Sequence, residues 1–214
     1  DLSMSDPYIY PDETTKTYYL TSSGGRMYKS KDLVMWEGPY NIIDISGTWM
    51  ERAGFAAAAE IHKIGDYYYY AGTWSDHSDL IHQAPRRYNL PHNQTALLRS
   101  EEPEGTLYEE DGRIYMVFVH EWTQLIDGTM DYVELSKDLK RTISKPVTMF
   151  RASELPCCGE MNGLGEATFG RKMPGWVTDG PQMFRTQTGK LGMLWSTWGE
   201  ERYLQAVCYS ESGT

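Results

Sequence analysis

Cysteine is scarce in this chain of 214 residues. Cys157 and Cys158 are adjacent and Cys208 stands alone. That arrangement offers neither a disulfide framework nor the paired spacing of a zinc site, and reads as ordinary free thiols. Positive charge is short as well: 20 Lys and Arg stand against 30 Asp and Glu, a formal net charge of −10, so the basic footprint that a nucleic-acid partner needs is missing. No apolar run approaches a membrane span, and no membrane partner is expected. The chain opens with Asp1 and shows no basic segment followed by an apolar one, so a signal peptide is expected to be absent or already removed. A Gly-rich phosphate loop, a Cys/His cluster and a Ser-His-Asp arrangement are all lacking. Amphipathic helical periodicity fits poorly anywhere. Aromatic side chains, in contrast, make up 13% of the residues, which favours a β-rich globular core over disorder.

An internal repeat organises the rest. "DPYIYPDETTKTYYLTSS" (6–23), "EIHKIGDYYYYAGTW" (60–74), "EGTLYEEDGRIYMVFVHEW" (104–122) and "DGPQMFRTQTGKLGMLWSTW" (179–198) share one layout. Each begins with a carboxylate, runs through a short β-type stretch, turns at a polar or glycine-containing step, and returns through a second β-type stretch. Composition and turn chemistry make each a hairpin. "YKSKDLVMWEGP" (28–39) and "VELSKDLKRTISKP" (133–146) repeat Ser-Lys-Asp-Leu after two of the hairpins, and "AVCYSESG" (206–213) holds the corresponding place in the last unit. Each unit therefore amounts to about four strands. Four-stranded units repeated along a chain predict an all-β fold, a β-propeller forming a single domain over residues 1–214. Residues 154–175, dense in Gly and Pro, read as an irregular insertion before the fourth unit.

In a propeller the first strand of each blade lines the axis, so Asp6, Glu60, Glu104 and Asp179 are expected to face one funnel. Crowded carboxylates repel and raise the pKa of at least one of them, and a protonated carboxyl beside an ionised one is what glycoside hydrolysis requires. Each candidate has a plainer alternative. Asp179-Gly180 alone reads as a tight hairpin turn, Asp6-Pro7 as a turn start, and Glu60, after a run of alanines, as a buried structural carboxylate. His120 ends an alternating apolar strand and reads as a satisfied core residue, a substrate contact or a ligand to a central metal ion. Trp49, Trp74, Trp122 and Trp198 lie near strand ends; most propeller tryptophans pack between blades, with one or two left as sugar platforms.

The ordered segments resemble glycoside hydrolase family 43, five-bladed propellers acting mainly on arabinose-, xylose- and galactose-containing plant polysaccharides. "SDPYIY" is similar to the family's first-blade segment, "AAAAEIHKIGDYYYYAG" to its second, "PEGTLYEEDGRIYMVFVHEW" to its third and "TDGPQMF" to its fourth. The resemblance implies an inverting glycosidase with Asp6 as base on water, Asp179 as acid on the leaving oxygen, Glu104 orienting and tuning that acid, and Glu60 in reserve. Trp49, Trp74, His120 and Trp122 are candidate substrate contacts; no cofactor is expected to be required, and a central calcium ion near His120 is left as an open alternative. It further implies an oligosaccharide or polysaccharide substrate and a secreted or periplasmic location. Three departures stand out: Glu104 replaces an Asp, Asp179 replaces a Glu, and Ala57-Ala58-Ala59 replaces Trp-Ala-Pro. A carbohydrate-binding propeller with impaired catalysis is therefore the alternative. About four blades are present and the family has five, so a further chain segment supplying the fifth is expected.

Overall fold

Turn chemistry sets the frame. Gly65-Asp66 and Asp111-Gly112 each leave two residues between β-type runs, and Gly65, Asp111 and Gly112 adopt positive φ (60°, 51° and 73°), the backbone that two-residue hairpin loops demand. The computed structural model describes residues 2–44, 46, 47, 51, 56–74, 105–120, 122–161 and 174–212. The chain divides into two compact units, Asp1–Glu101 and Glu102–Thr214.

In the first unit, β1 (Tyr8–Asp12), β2 (Thr17–Thr21), β3 (Arg26–Ser30) and β4 (Glu37–Asn41) form an antiparallel sheet in sequence order, and β5 (Ala56–Ile64) pairs with β6 (Tyr67–Trp74). In the second, β7 (Gly105–Glu110), β8 (Arg113–His120), β9 (Thr129–Leu135) and β10 (Val147–Arg151) make a second four-stranded meander. There β11 (Asp179–Arg185), β12 (Leu191–Trp198) and β13 (Tyr203–Tyr209) form a three-stranded one. Each sheet runs antiparallel in sequence order, as in a blade; two hold the four strands the repeat predicts, and among the described residues the β11–β13 sheet holds three and the β5–β6 sheet two. Neighbouring sheets meet through their first strands: β1 lies against β5 in the first unit, and β11 against β7 and β8 in the second.

Among the described residues the β pattern is interrupted by the single turn of helix α1 (Trp122–Leu125) and by a 3-10 turn at Ala152–Glu154. Helix α1 is the one that follows β8. It closes through Ile126 N–H donating to Trp122 O at 2.7 Å. The second unit's core joins its two sheets through Val117, Val119, Met130, Met193 and Trp195, all buried. Alternation along β12 supplies the last two: Leu191, Met193, Trp195 and Thr197 face inward, the period of two that a half-buried strand imposes.

The repeated Ser-Lys-Asp-Leu is a turn linking third and fourth strands. Ser30 Oγ accepts the Leu33 N–H at 2.9 Å, and Asp32 Oδ1 accepts those of Val34 and Met35 at 2.8 Å each. Ser136 Oγ donates to Asp138 Oδ1 at 2.6 Å in the second copy. Leu33 and Leu139 both take positive φ, 64° and 56°. Side-chain oxygens here satisfy main-chain donors the turn leaves open, the reason Ser and Asp recur in such loops. Hydrogen bonds lower both carboxyl pKa values, led by Met35 N–H at Asp32 and by Ser136 at Asp138.

Candidate active site

Asp179 is not in a hairpin turn. It opens β11 opposite Ser196 of β12, while the turn between these strands falls at 186–190, where Gly189 N–H donates to Thr186 O at 2.9 Å. The ladder then slips: Asp179 faces Ser196 and Gln182 faces Leu194, so Gly180 and Pro181 stand opposite Trp195 alone. This is a β-bulge, with Gly180 at φ 48°. Tyr203, at the start of β13, donates its hydroxyl to Asp179 Oδ2, and its ring meets that of Trp198 edge-on at 5.7 Å.

A second bulge shapes the first unit. On β5, Ala57 pairs with Thr73 and Glu60 with Ala71, leaving Ala58 and Ala59 opposite Gly72. Ala58 takes φ 46°, a conformation in which a larger or branched side chain is costlier than alanine. The buried Thr21 hydroxyl donates to Ala59 O at 2.5 Å, and the Ala58 N–H donates to Ser23 Oγ at 3.0 Å. Ser23 in turn donates to Asp6 Oδ2 at 2.5 Å. Asp6 itself sits at φ 52°, the left-handed region that Asp visits more readily than most residues. Asp6 and the β5 bulge are thus tied by one hydroxyl. Bulges are over-represented beside active sites because they re-aim side chains.

Immediately after the bulge, the mostly buried Glu60 carboxylate meets His62 Nε2 at 2.6 Å, and His62 Nδ1 lies 3.4 Å from the Tyr8 hydroxyl. Burial, with the Glu60 charge second, pushes the Tyr8 phenol pKa up. Glu60 is therefore engaged by a buried histidine. The sequence carried a signal for His62, since residues two apart on a strand share a face.

In the second unit, His120 ends β8 with Nδ1 2.5 Å from Asp131 Oδ2, and the same oxygen accepts from Thr129 Oγ1 at 3.1 Å. Asp131 is 3% exposed and its Oδ1 has no hydrogen-bond partner. Register brings the pair together: His120 faces Thr129 and Phe118 faces Asp131 across β8 and β9, a pairing that the sequence without a register does not reveal. Calcium takes about six to eight oxygen ligands. The described residues near His120 offer one orphaned carboxylate oxygen, and no group of three or more His, Cys, Asp or Glu side chains suited to a metal occurs among the described residues. Among the described residues this donor set falls short of the about six to eight oxygens that calcium takes.

Trp122 is buried with Met161 and Val177, and Trp198 packs against that cluster. A Cβ on Gly175 would lie 2.9 Å from the Trp122 ring, so the Gly175 backbone closes against one side of the indole. Trp74 is the last residue of β6; its side chain, Trp49 and Glu104 lie outside the described residues.

Antiparallel meander sheets that meet through their first strands, with Asp6 just ahead of β1 and Asp179 opening β11, define the β-propeller class. Within that class the chain belongs to the glycosyl hydrolases family 43, whose model matches residues 1–212. An endo-arabinase from Bacteroides thetaiotaomicron VPI-5482 is 29% identical, with a TM-score of 0.75 over 100% of this chain and 78% of that one. The alpha-L-arabinanase of Cellvibrio cellulosa (17% identity, TM-score 0.63, covering 99% of this chain and 71% of that one) shares the fold. So does an endo-1,4-beta-xylanase from Bacteroides thetaiotaomicron (16%, 0.59, 98% and 69%). No curated protein sequence matches the chain.

Proposed function

We propose that this protein is an inverting glycoside hydrolase acting on arabinose-containing polysaccharides or oligosaccharides, outside the cytoplasm where such polymers are met. The observation that carries the reading is the family match over residues 1–212, and the 29% identical endo-arabinase favours arabinan over xylan. Asp6 takes a proton from water as the water oxygen attacks the anomeric carbon. The glycosidic C–O bond breaks as Asp179 gives its proton to the leaving oxygen, so charge balances and the configuration inverts. Glu104 orients Asp179, and Glu60 is held by His62 as a reserve carboxylate. His120, fixed at Nδ1 by Asp131, serves as a substrate contact, alongside Trp49 and Trp74.

The bulge after Asp179 supports this assignment, because it begins an inner strand with a re-aimed carboxylate. One observation favours a second reading, a propeller that binds carbohydrate with impaired turnover: Asp179 is one methylene shorter than the family's Glu, and Tyr203 engages one of its two oxygens. Hydrolysis assays of the full natural chain on linear arabino-oligosaccharide, xylo-oligosaccharide and aryl arabinofuranoside, each against Asp6→Asn, separate the two. Turnover on arabino-oligosaccharide above the control supports the hydrolase; binding without turnover on any substrate supports the rival.

A further inference from the structure

A carboxylate that acts as a base must hold one oxygen toward the water it deprotonates, and an exposed Asp on a chain segment ahead of a strand has rotamers to spare. Asp6 is such a residue: it is exposed and precedes β1 by two positions. What restrains it is Ser23. The Ser23 hydroxyl has one proton to give, and its placement follows from the other partner. Ala58 N–H, released from the ladder by the β5 bulge, donates to Ser23 Oγ at 3.0 Å, and the hydroxyl proton is directed at Asp6 Oδ2, 2.5 Å away. The Ser23 main chain is anchored as well, its N–H donating to Ser5 O at 3.1 Å. With Oδ2 occupied, Oδ1 is the oxygen left to meet water.

We propose that Ser23 is the positioning residue for the Asp6 base, and that the bulge at Ala58-Ala59 exists to aim the Ser23 hydroxyl. The inference rests on the reading of Asp6 as base. It gives the alanine run a role: the bulge needs a small residue at φ 46° and a free N–H, and Ala58 supplies both. It also explains why Thr21 is buried against Ala59 O, since that bond fixes β2, and with it Ser22-Ser23, against the bulge.

The test compares Ser23→Ala, Ser23→Cys and Ser23→Thr with wild type in the full natural chain. Each is assayed on an aryl arabinofuranoside with a good leaving group and on an unactivated arabino-oligosaccharide, with melting curves alongside. Because misplacement of a catalytic group by about 1 Å costs on the order of a hundredfold, Ser23→Ala is expected to lower kcat by roughly tenfold to a hundredfold. A base defect lowers both substrates by the same factor with KM unchanged, whereas an acid defect falls mainly on the poor leaving group. Ser23→Cys, which keeps the volume and loses the strong donor, shows the same loss if Ser23→Ala is too unstable to assay. Ser23→Thr, which keeps the hydroxyl, recovers most of the activity. Unchanged kcat in Ser23→Ala or Ser23→Cys, a loss confined to KM, or a loss that tracks the melting temperature and is shared by Ser23→Thr overturns the proposal while wild-type turnover leaves the hydrolase reading standing. A wild type without turnover overturns both.

Discussion

Asp179 carries the largest chemical question at the scale of single residues. Local sequence reads Asp-Gly as a turn, and only the repeat moves it to a strand start; the structure bears out the strand. Its reach is a separate matter. Lengthening it by one methylene restores the family's usual acid, so Asp179→Glu is expected to raise kcat on unactivated oligosaccharide and to change aryl arabinofuranoside turnover little, because a good leaving group needs little protonation. Steady-state kinetics on the two substrates check this, and an equal change on both counts against Asp179 as acid.

Asp12 shows the opposite behaviour, a carboxyl given wholly to structure. It accepts from Thr15 Oγ1 at 2.7 Å, Tyr68 Oη at 2.8 Å and Thr14 N–H at 3.0 Å. These bonds, Thr15 first, hold its pKa at about 2. A folded pKa below the unfolded value of about 3.9 gives stability that is present above that value and lost as pH falls through about 2. Urea titrations between neutral pH and pH 2 should show wild-type stability falling through this window, with Asp12→Asn less stable at neutral pH and flatter below pH 4. Equal slopes for the two proteins would remove Asp12 from the account.

Hairpins were legible at the scale of elements because their signals are local. Gly65-Asp66, Asp111-Gly112 and Thr188-Gly189 mark turns that the structure places between β5 and β6, β7 and β8, and β11 and β12. The two bulges were not legible, since a bulge is a property of two strands in register and neither strand alone reveals it. The same limit hid the His120–Asp131 pair and the Tyr203–Asp179 contact, which depend on cross-strand neighbours. Glu60–His62 was within reach, being two residues apart on one strand.

Turn chemistry can be tested directly at Asp111. Its φ of 51° suits Asp, Asn or Gly and resists a β-branched side chain. Asp111→Val is expected to lower stability by about 1–2 kcal/mol, with Asp111→Asn close to wild type, as read from chemical denaturation. A neutral Asp111→Val would mean that the β7–β8 hairpin does not depend on this backbone geometry.

For the whole molecule, the repeat pointed to blades, from a feature that needs no register. Division into two compact units, Asp1–Glu101 and Glu102–Thr214, was not foreseen from the repeat, which treats all blades alike. Asp6, Ser23 and Glu60 belong to the first unit and His120, Asp131 and Asp179 to the second.

The most direct test is proton NMR of the first product formed from a linear arabino-oligosaccharide by the full natural chain, with Asp6→Asn as control. The account predicts that the newly released reducing sugar appears first in the inverted anomeric configuration, and that Asp6→Asn lowers its rate by on the order of a thousandfold. A product that appears first with retained configuration, or a rate equal to that of Asp6→Asn, would contradict it.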